Sequence, residues 1–210
     1  MSKITFKNTI AHFKKICVHK YWVAKYCFKA GLYWQGITHD LSKFSPIEFW
    51  ESVRFYIGIS SPINVAKAEQ GYSLAWQHHK GRNPHHYEYW TDKYDEGTVA
   101  LEMPYKYAVE LICDYLGAAR AYLGDKFTYT GEYNWWLEKI KTAKIHPCTA
   151  NFISAVFETL ARLENNEIPI LKDVTPDQYF CKRFLNVLYH NYSRKEAYTE
   201  MLRKAQGPTN

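Results

Sequence analysis

Apolar residues recur every three or four positions through most of this chain, which is the spacing of an α-helix and not of a β-strand. Between residues 4 and 30, where Ile10, Phe13 and Cys17 share this spacing, the pattern predicts one or two helices ended by Gly31. The 10 glycines and 8 prolines are too few for a turn-rich β-sandwich. No alternating pattern of useful length competes, so the sequence predicts an all-α fold.

Capping residues and prolines indicate where further helices begin. Ser45 and Glu48 have the spacing of a capping box, and Thr175 and Gln178 repeat it. Asn134 is a plausible cap for a helix over 134–144. The other predicted helices run from about Pro62 to His79, from Pro104 onward, and over 147–164.

The cysteines and the lack of long apolar segments bear on the compartment. Five cysteines are scattered singly, so neither a disulfide framework nor a thiolate zinc site is indicated. No stretch is long and apolar enough for a signal peptide or a membrane span. We therefore expect a cytoplasmic protein without a membrane partner.

The positive charge is concentrated at the N-terminus. The net charge is +6, and residues 1–39 contain seven lysines and no acidic residue. A basic helix beside a cleft would attract a small anionic substrate, which is the partner we favour over nucleic acid. A solvated helix face is the alternative interpretation.

Six of the nine histidines share a pattern with two aspartates. Asp114 lies on the apolar face of its predicted helix, where a carboxylate is costly to bury unless it is paired or bound to a metal. The other three histidines, His12, His146 and His190, do not belong to this pattern. The residues of the pattern are His19, the pair His39-Asp40, the doublets His78-His79 and His85-His86, and Asp114.

This order of residues resembles that of the HD-domain superfamily of metal-dependent phosphohydrolases. The resemblance covers roughly residues 12–123 and is strongest over 36–44, where an HDxxKF stretch stands intact. The chain also resembles a phage and bacterial family of unknown function that shares the spacing of His79, Asn83 and His86. The resemblance implies that residues 1–164 form an HD-like, metal-binding helical bundle. We expect residues 165–210 to form a C-terminal helical extension packed on the same domain.

A two-metal centre needs a bridging carboxylate and several neutral imidazoles, and Asp40 is the natural bridge. We expect His19, His39 and Asp114 to complete one site, with His79 and His86 in the other. Because neighbouring residues on a helix point about 100° apart, only one histidine of each doublet is expected to face a metal. Imidazole and carboxylate do not select among Fe, Mn, Ni, Co and Zn, so one or two ions of this group are expected.

Five residues are candidates for substrate contact. Lys43 follows Asp40 by three positions, and the resemblance implies that a lysine there contacts a phosphate. Asp40 and Lys43 are thus the expected catalytic pair. The other candidates for substrate binding lie in or between the doublets and are His78, Arg82, Asn83 and His85.

The expected function is a phosphomonoesterase or phosphodiesterase (EC 3.1 class) acting on a nucleotide or another small phosphorylated compound. Two alternatives stay open from the sequence. HD-like proteins with four histidines and two aspartates include diiron oxygenases, and an HD-like bundle can also serve as a non-enzymatic module that binds nucleotide or nucleic acid. The sequence makes no prediction of the oligomeric state.

Overall fold

Residues 4–95 and 97–192 of the computed structural model are described here, and they fold almost entirely into helices. The all-α prediction is confirmed. A short antiparallel hairpin of β1 (Thr91–Tyr94) and β2 (Gly97–Ala100) pairs Thr91 with Ala100. The helices are α1 (Phe6–Lys29), α2 (Tyr33–Thr38), α3 (Pro46–Arg54), α4 (Pro62–Gln70), α5 (Leu74–Lys80), α6 (Tyr105–Leu123), α7 (Tyr129–Ile140), α8 (Pro147–Glu164), α9 (Pro176–Tyr179) and α10 (Lys182–Tyr192). Short 3-10 turns lie at Leu41–Phe44, Tyr87–Tyr89, Gly124–Lys126 and Pro169–Leu171.

The long helices α1 and α6 pack closely against each other at the centre of the fold. At their contact, Gly117 faces Val23, which is fully buried. A Cβ atom on Gly117 would lie 2.5 Å from Val23 Cγ2 and 2.9 Å from Val23 N, which is closer than real atoms approach. The glycine therefore sets how near the two helices can come.

Helices α7, α8 and α10 build the rest of the core around large apolar side chains. Trp136, Phe157 and Leu185 are almost completely buried there. Asp177 of α9 ties this side to α6 through Arg120, whose Nη2 lies 2.9 Å from Asp177 Oδ2. Residues up to 192 of the predicted C-terminal extension thus contact the bundle, whereas 193–210 fall outside the described residues.

Two of the predicted helices differ from the structure in their boundaries. The helix predicted over Pro62–His79 is two helices, because Gly71 adopts a left-handed φ of 83° and ends α4. The helix predicted over 134–144 begins earlier, at Tyr129, because the Thr128 side chain accepts a hydrogen bond from the Gly131 N–H and caps it. Asn134 lies inside α7 and is not its cap.

The two predicted capping boxes have different outcomes. The one at Thr175 and Gln178 is confirmed, since both of its hydrogen bonds are present. The one at Ser45 and Glu48 is wrong, because Ser45 makes no capping hydrogen bond and the Glu48 carboxylate binds histidines of α5 instead.

Within the described ranges, no helix combines the length and the apolar character needed to cross a bilayer.

Candidate metal centre

Five parts of the chain converge beside the α1–α6 contact and bring together all six residues predicted as metal ligands. His85 joins them, and we call these seven residues the metal cluster. All are buried except His86, which is partly buried. The members come from α1 (His19), the segment after α2 (His39 and Asp40), α5 (His79), the turn after α5 (His85 and His86) and α6 (Asp114).

A backbone turn allows the adjacent residues His39 and Asp40 to face the same point. Helix α2 ends at Thr38, and Asp40 has a left-handed φ of 53° before the 3-10 turn begins at Leu41. Aspartate tolerates this conformation better than most residues. The Nε2 atom of His39 consequently lies 3.3 Å from Oδ2 of Asp40.

One half of the cluster surrounds Oδ2 of Asp40. His19 Nε2 lies 3.3 Å from this oxygen and 3.2 Å from Oδ1 of Asp114. His39 Nε2 lies 3.4 Å from the same Asp114 oxygen. Two imidazoles and two carboxylates, with ligand atoms all within 4.8 Å of one another, therefore form the first group.

The other half surrounds Oδ1 of Asp40. His79 Nε2 lies 3.3 Å and His85 Nε2 lies 3.4 Å from this oxygen. His86 completes the group, with its Nε2 atom 2.9 Å from that of His79. Asp40 thus presents one oxygen to each group, which is the arrangement expected of a bridging carboxylate.

The histidine doublets differ because only one of them lies on a helix. On α5, His79 faces the cluster while His78 points to Glu48, as the angle between helical neighbours requires. His85 and His86 lie in an irregular turn where this limit does not apply, and their rings are 4.3 Å apart, centroid to centroid. The structure therefore places His85 with the ligand candidates.

Two buried glutamates hold the imidazoles of the cluster from behind. Oε1 of Glu110 accepts a hydrogen bond from Nδ1 of His39 at 3.0 Å and lies 3.2 Å from Nδ1 of His85. Glu48 contacts His79 in the same way, with 2.8 Å between Oε2 and Nδ1. A carboxylate that accepts from Nδ1 leaves the Nε2 lone pair free to bind a metal.

The electrostatics favour the charge states that bind metals at Asp40 and His86. At His39 and His85, burial opposes the charge, but the neighbouring carboxylates raise the pKa of both imidazoles above the ordinary value. Burial opposes the charge of Asp40, but His39, Lys43 and His79 hold the pKa of its carboxyl well below the usual range. Burial, together with the charges of His85 and His79, keeps the pKa of His86 well below its ordinary value. An ionised aspartate and a neutral imidazole are the forms that bind metals.

Buried polar atoms without hydrogen-bond partners are a second indication that the donor set fits divalent cations. Among the described residues, three buried polar atoms of the cluster have no hydrogen-bond partner, namely His39 Nε2, Asp40 Oδ1 and His85 Nε2. Such atoms are rare because each one costs free energy when it is buried unsatisfied. All three belong to the groups described above, so cations bound there would satisfy them.

Lys43 lies at the edge of the cluster. Its Nζ atom is 2.5 Å from Oδ2 of Asp40, and the side chain is 27% exposed. Burial opposes its charge, but Asp40 and Asp114 raise the pKa of Lys43 above its ordinary value. The residue therefore offers a fixed positive charge beside the first group.

A cleft of about 640 Å³ opens onto the cluster, and we call it the main cleft. It is lined by His19, His79, His86 and Asp114, and also by Lys43. Its volume is that of a small-molecule site.

The remaining substrate-contact candidates do not line the main cleft. Arg82, Asn83 and His85 line a separate, smaller cleft of about 400 Å³, which reaches the cluster at His39 and Asp40. The Asn83 amide donates to Ser42 Oγ at 2.9 Å and to the His79 carbonyl at 2.8 Å. His78 lines neither cleft.

Sequence analysis did not identify four residues near the centre. Glu110 precedes Asp114 by one helical turn on an otherwise apolar face, so the same signal that marked Asp114 could have marked it. Glu48 was interpreted from the sequence as part of a capping box with Ser45, and not as a partner of histidines. His12 and Glu132 are buried and line the main cleft, but no local pattern distinguishes them.

Comparison with known sequences and structures gives one match. No curated protein and no solved structure matches the chain. The sequence profile of a family of unknown function matches residues 8–159, a span that contains the whole cluster together with Glu48, Glu110 and Glu132. The chain therefore belongs to this family, DUF5662.

Proposed function

We propose that this protein is a metal-dependent phosphohydrolase that cleaves a phosphomonoester or phosphodiester of a nucleotide or another small phosphorylated compound. The observation that carries the proposal is the position of Asp40, whose two carboxylate oxygens each face a separate group of imidazoles at 3.3–3.4 Å. This arrangement suits a pair of divalent ions that share one bridging ligand.

One group would hold the first ion through His19, His39, Asp40 and Asp114, and the other would hold the second through Asp40, His79, His85 and His86. Iron, manganese, nickel, cobalt and zinc all suit imidazole and carboxylate ligands. Such ions supply Lewis acidity toward a phosphoryl oxygen and make water acidic enough to attack at neutral pH.

The chain's own residues bind and orient the substrate. Lys43, at the edge of the cluster, is placed to contact phosphoryl oxygens as a point charge. Four more lysines line the main cleft and would attract an anion toward it, namely Lys15, Lys67, Lys126 and Lys139. Glu48 and Glu110 keep the Nε2 atoms of the imidazoles directed at the centre.

We also propose a cytoplasmic location for this activity. The five cysteines all lie in the described ranges and form no disulfide there, and widely spaced thiols outside disulfides favour a reducing compartment.

The test begins with elemental analysis of the purified protein. After chelation, the protein is reloaded separately with Mn, Fe, Co, Ni, Zn and Mg, and hydrolysis of 4-nitrophenyl phosphate and bis(4-nitrophenyl) phosphate is measured. We expect a bound transition metal and turnover of at least one ester. Asp40→Asn should remove both, whereas Asp92→Asn, an exposed aspartate of the hairpin, should keep both.

Two results would overturn the proposal. The first is a protein that neither copurifies with a metal nor binds one, which favours a binding module without metal chemistry. The second is an iron-loaded protein that consumes oxygen and leaves both esters intact, which favours the diiron oxygenase.

A further inference from the structure

Glu132 is a buried acidic residue of the main cleft that the proposed mechanism has not used. It lies in the first turn of α7 and is only 7% exposed. Glu132 lines the cleft, and among the described residues burial and the charge of Asp114, not a hydrogen bond or an ion pair, act on its carboxyl group. Its oxygens are not among the fully buried atoms that lack a hydrogen-bond partner in the described residues, so the carboxyl group is open to the cleft, where a ligand would meet it.

The surroundings of Glu132 favour a protonated carboxyl group. No lysine or arginine pairs with it among the described residues. In the metal-free protein, burial is the main cause that raises the pKa of Glu132 to about 8, and the negative charge of Asp114 adds to it. A neutral carboxylic acid presents an O–H donor, whereas an ionised one only accepts.

Glu132 shares the main cleft with an expected metal ligand and with two aromatic rings. Asp114, an expected metal ligand, lines this cleft as well, and its charge acts on Glu132. Tyr115 and Trp135 line the same cleft, with ring centroids 5.1 Å apart, and Trp135 follows Glu132 by one turn of α7. This combination of an acid and two aromatic rings beside the metal cluster suits the leaving group of an ester.

We propose that Glu132 is the general acid of this site and that the substrate is a phosphate ester of an alcohol and not a phosphoric anhydride. The inference rests on the proposed phosphohydrolase function. An alkoxide is too basic to leave readily without a proton, whereas the phosphate released from an anhydride is a stable anion. A buried acid beside the leaving group is therefore useful for an ester of an alcohol.

The hydrolysis step forms one bond to phosphorus and breaks another. The oxygen of water forms a bond to phosphorus while the bond between phosphorus and the ester oxygen breaks. That oxygen takes the electron pair of the broken bond and the proton of Glu132, and it departs as a neutral alcohol. The proton lost by the attacking water restores the neutral carboxyl group, so one ester and one water give one alcohol and one phosphate.

The test compares two substrates of similar shape in the metal-loaded protein. The 4-nitrophenolate ion leaves readily without a proton, whereas the alkoxide of benzyl phosphate does not. For Glu132→Gln we expect kcat/KM to fall by about 100-fold or more with benzyl phosphate, which is the range for loss of a general acid. With 4-nitrophenyl phosphate the change should stay below about threefold. Glu138→Gln, an exposed change on the same helix, should alter neither value.

A second measurement does not depend on turnover. The infrared difference spectrum between the wild-type protein and Glu132→Gln at pH 7 should contain the carbonyl stretch of a neutral carboxylic acid.

The outcomes separate the two proposals. Equal losses with both substrates, or the spectrum of an ionised carboxylate, would overturn the role of Glu132 and leave the phosphohydrolase proposal standing. If the wild-type protein with bound metal hydrolyses neither substrate nor any other phosphoester, the proposed function fails and the role of Glu132 fails with it.

Discussion

Lys43 and Asp40 form an ion pair at the edge of the metal cluster, with 2.5 Å between Nζ and Oδ2. This oxygen is also the one that faces His19 and His39. In the metal-free protein the ammonium group therefore neutralises a carboxylate that a metal ion would otherwise bind. The same charge that favours an anionic substrate competes with a cation for Asp40.

The competition predicts opposite effects of Lys43→Met on metal binding and on activity. Removal of a positive charge next to the first group should lower the dissociation constant for Mn or Zn by about tenfold. Turnover of phosphoester should fall, because the phosphoryl oxygens lose a charged contact. Metal titration and steady-state kinetics measure the two effects, and Lys141→Met, on an exposed lysine, is the control. Weaker metal binding in Lys43→Met would contradict this account.

The left-handed backbone of Asp40 makes the choice of substitution important. Asparagine tolerates a φ of 53° and nearly preserves the shape of the side chain, so Asp40→Asn should keep its helical circular dichroism. It should nevertheless lose metal binding, since the bridging charge is gone. Asp40→Ala adds backbone strain of about 1 kcal/mol to the same loss and should melt at a lower temperature than Asp40→Asn in the metal-free state. Full metal occupancy in Asp40→Asn would exclude Asp40 as the bridge.

Glu110 contacts two imidazoles, one from each group, so its replacement should affect the whole centre. A neutral amide at this position interacts less strongly with the two Nδ1–H groups than a carboxylate does. His39 and His85 are therefore held less firmly in their orientations. We expect Glu110→Gln to weaken metal affinity by about 10- to 100-fold. Isothermal titration measures this change, with Glu158→Gln on the exposed face of α8 as the control. Unchanged affinity would mean that the two histidines are held by packing alone.

The raised pKa of Glu132 predicts how stability depends on pH. Its ordinary value is 4.5 and its value in the folded protein is about 8, so between these values the folded state binds a proton that the unfolded state has lost. The free energy of unfolding should therefore fall as the pH rises through this window, by an amount on the order of 5 kcal/mol.

Glu132→Gln lacks this titration, so the difference in stability between the two proteins should shift in favour of the variant as the pH rises from 4.5 to 8. Urea unfolding of both metal-free proteins in chelator-containing buffer at several pH values measures the difference. A difference that stays constant over the window would show that Glu132 titrates normally.

Several helices and some residues of the site could be predicted from the sequence, because they depend on local signals. Helical periodicity and terminal prolines predicted α1, α6 and α8, and these predictions are confirmed. Asp114 was identified because a carboxylate among apolar neighbours needs a partner. The role of Asp40 as the bridge stays a prediction, although the structure places its two oxygens between the two groups.

What the sequence did not predict depends on irregular backbone and on long-range contacts. His85 was set apart from His86 by a helical argument, but both lie in a turn whose geometry no periodicity specifies. Glu48 has the spacing of a capping residue, yet α5 packs against α3 and brings His78 and His79 to its carboxylate. Glu132 gave no signal, because its burial depends on how α7 packs beside α6.

Gly117 connects the packing of the bundle to its chemistry. It follows Asp114 by nearly one turn of α6, and Val23, which it touches, follows His19 by about one turn of α1. The distance of 3.2 Å between Nε2 of His19 and Oδ1 of Asp114 therefore depends on Gly117, a residue that has no side chain. A relative could retain every histidine and carboxylate of the centre and still lose its geometry through one added methyl group. An inventory of ligands alone would therefore overestimate how many such chains can bind metal.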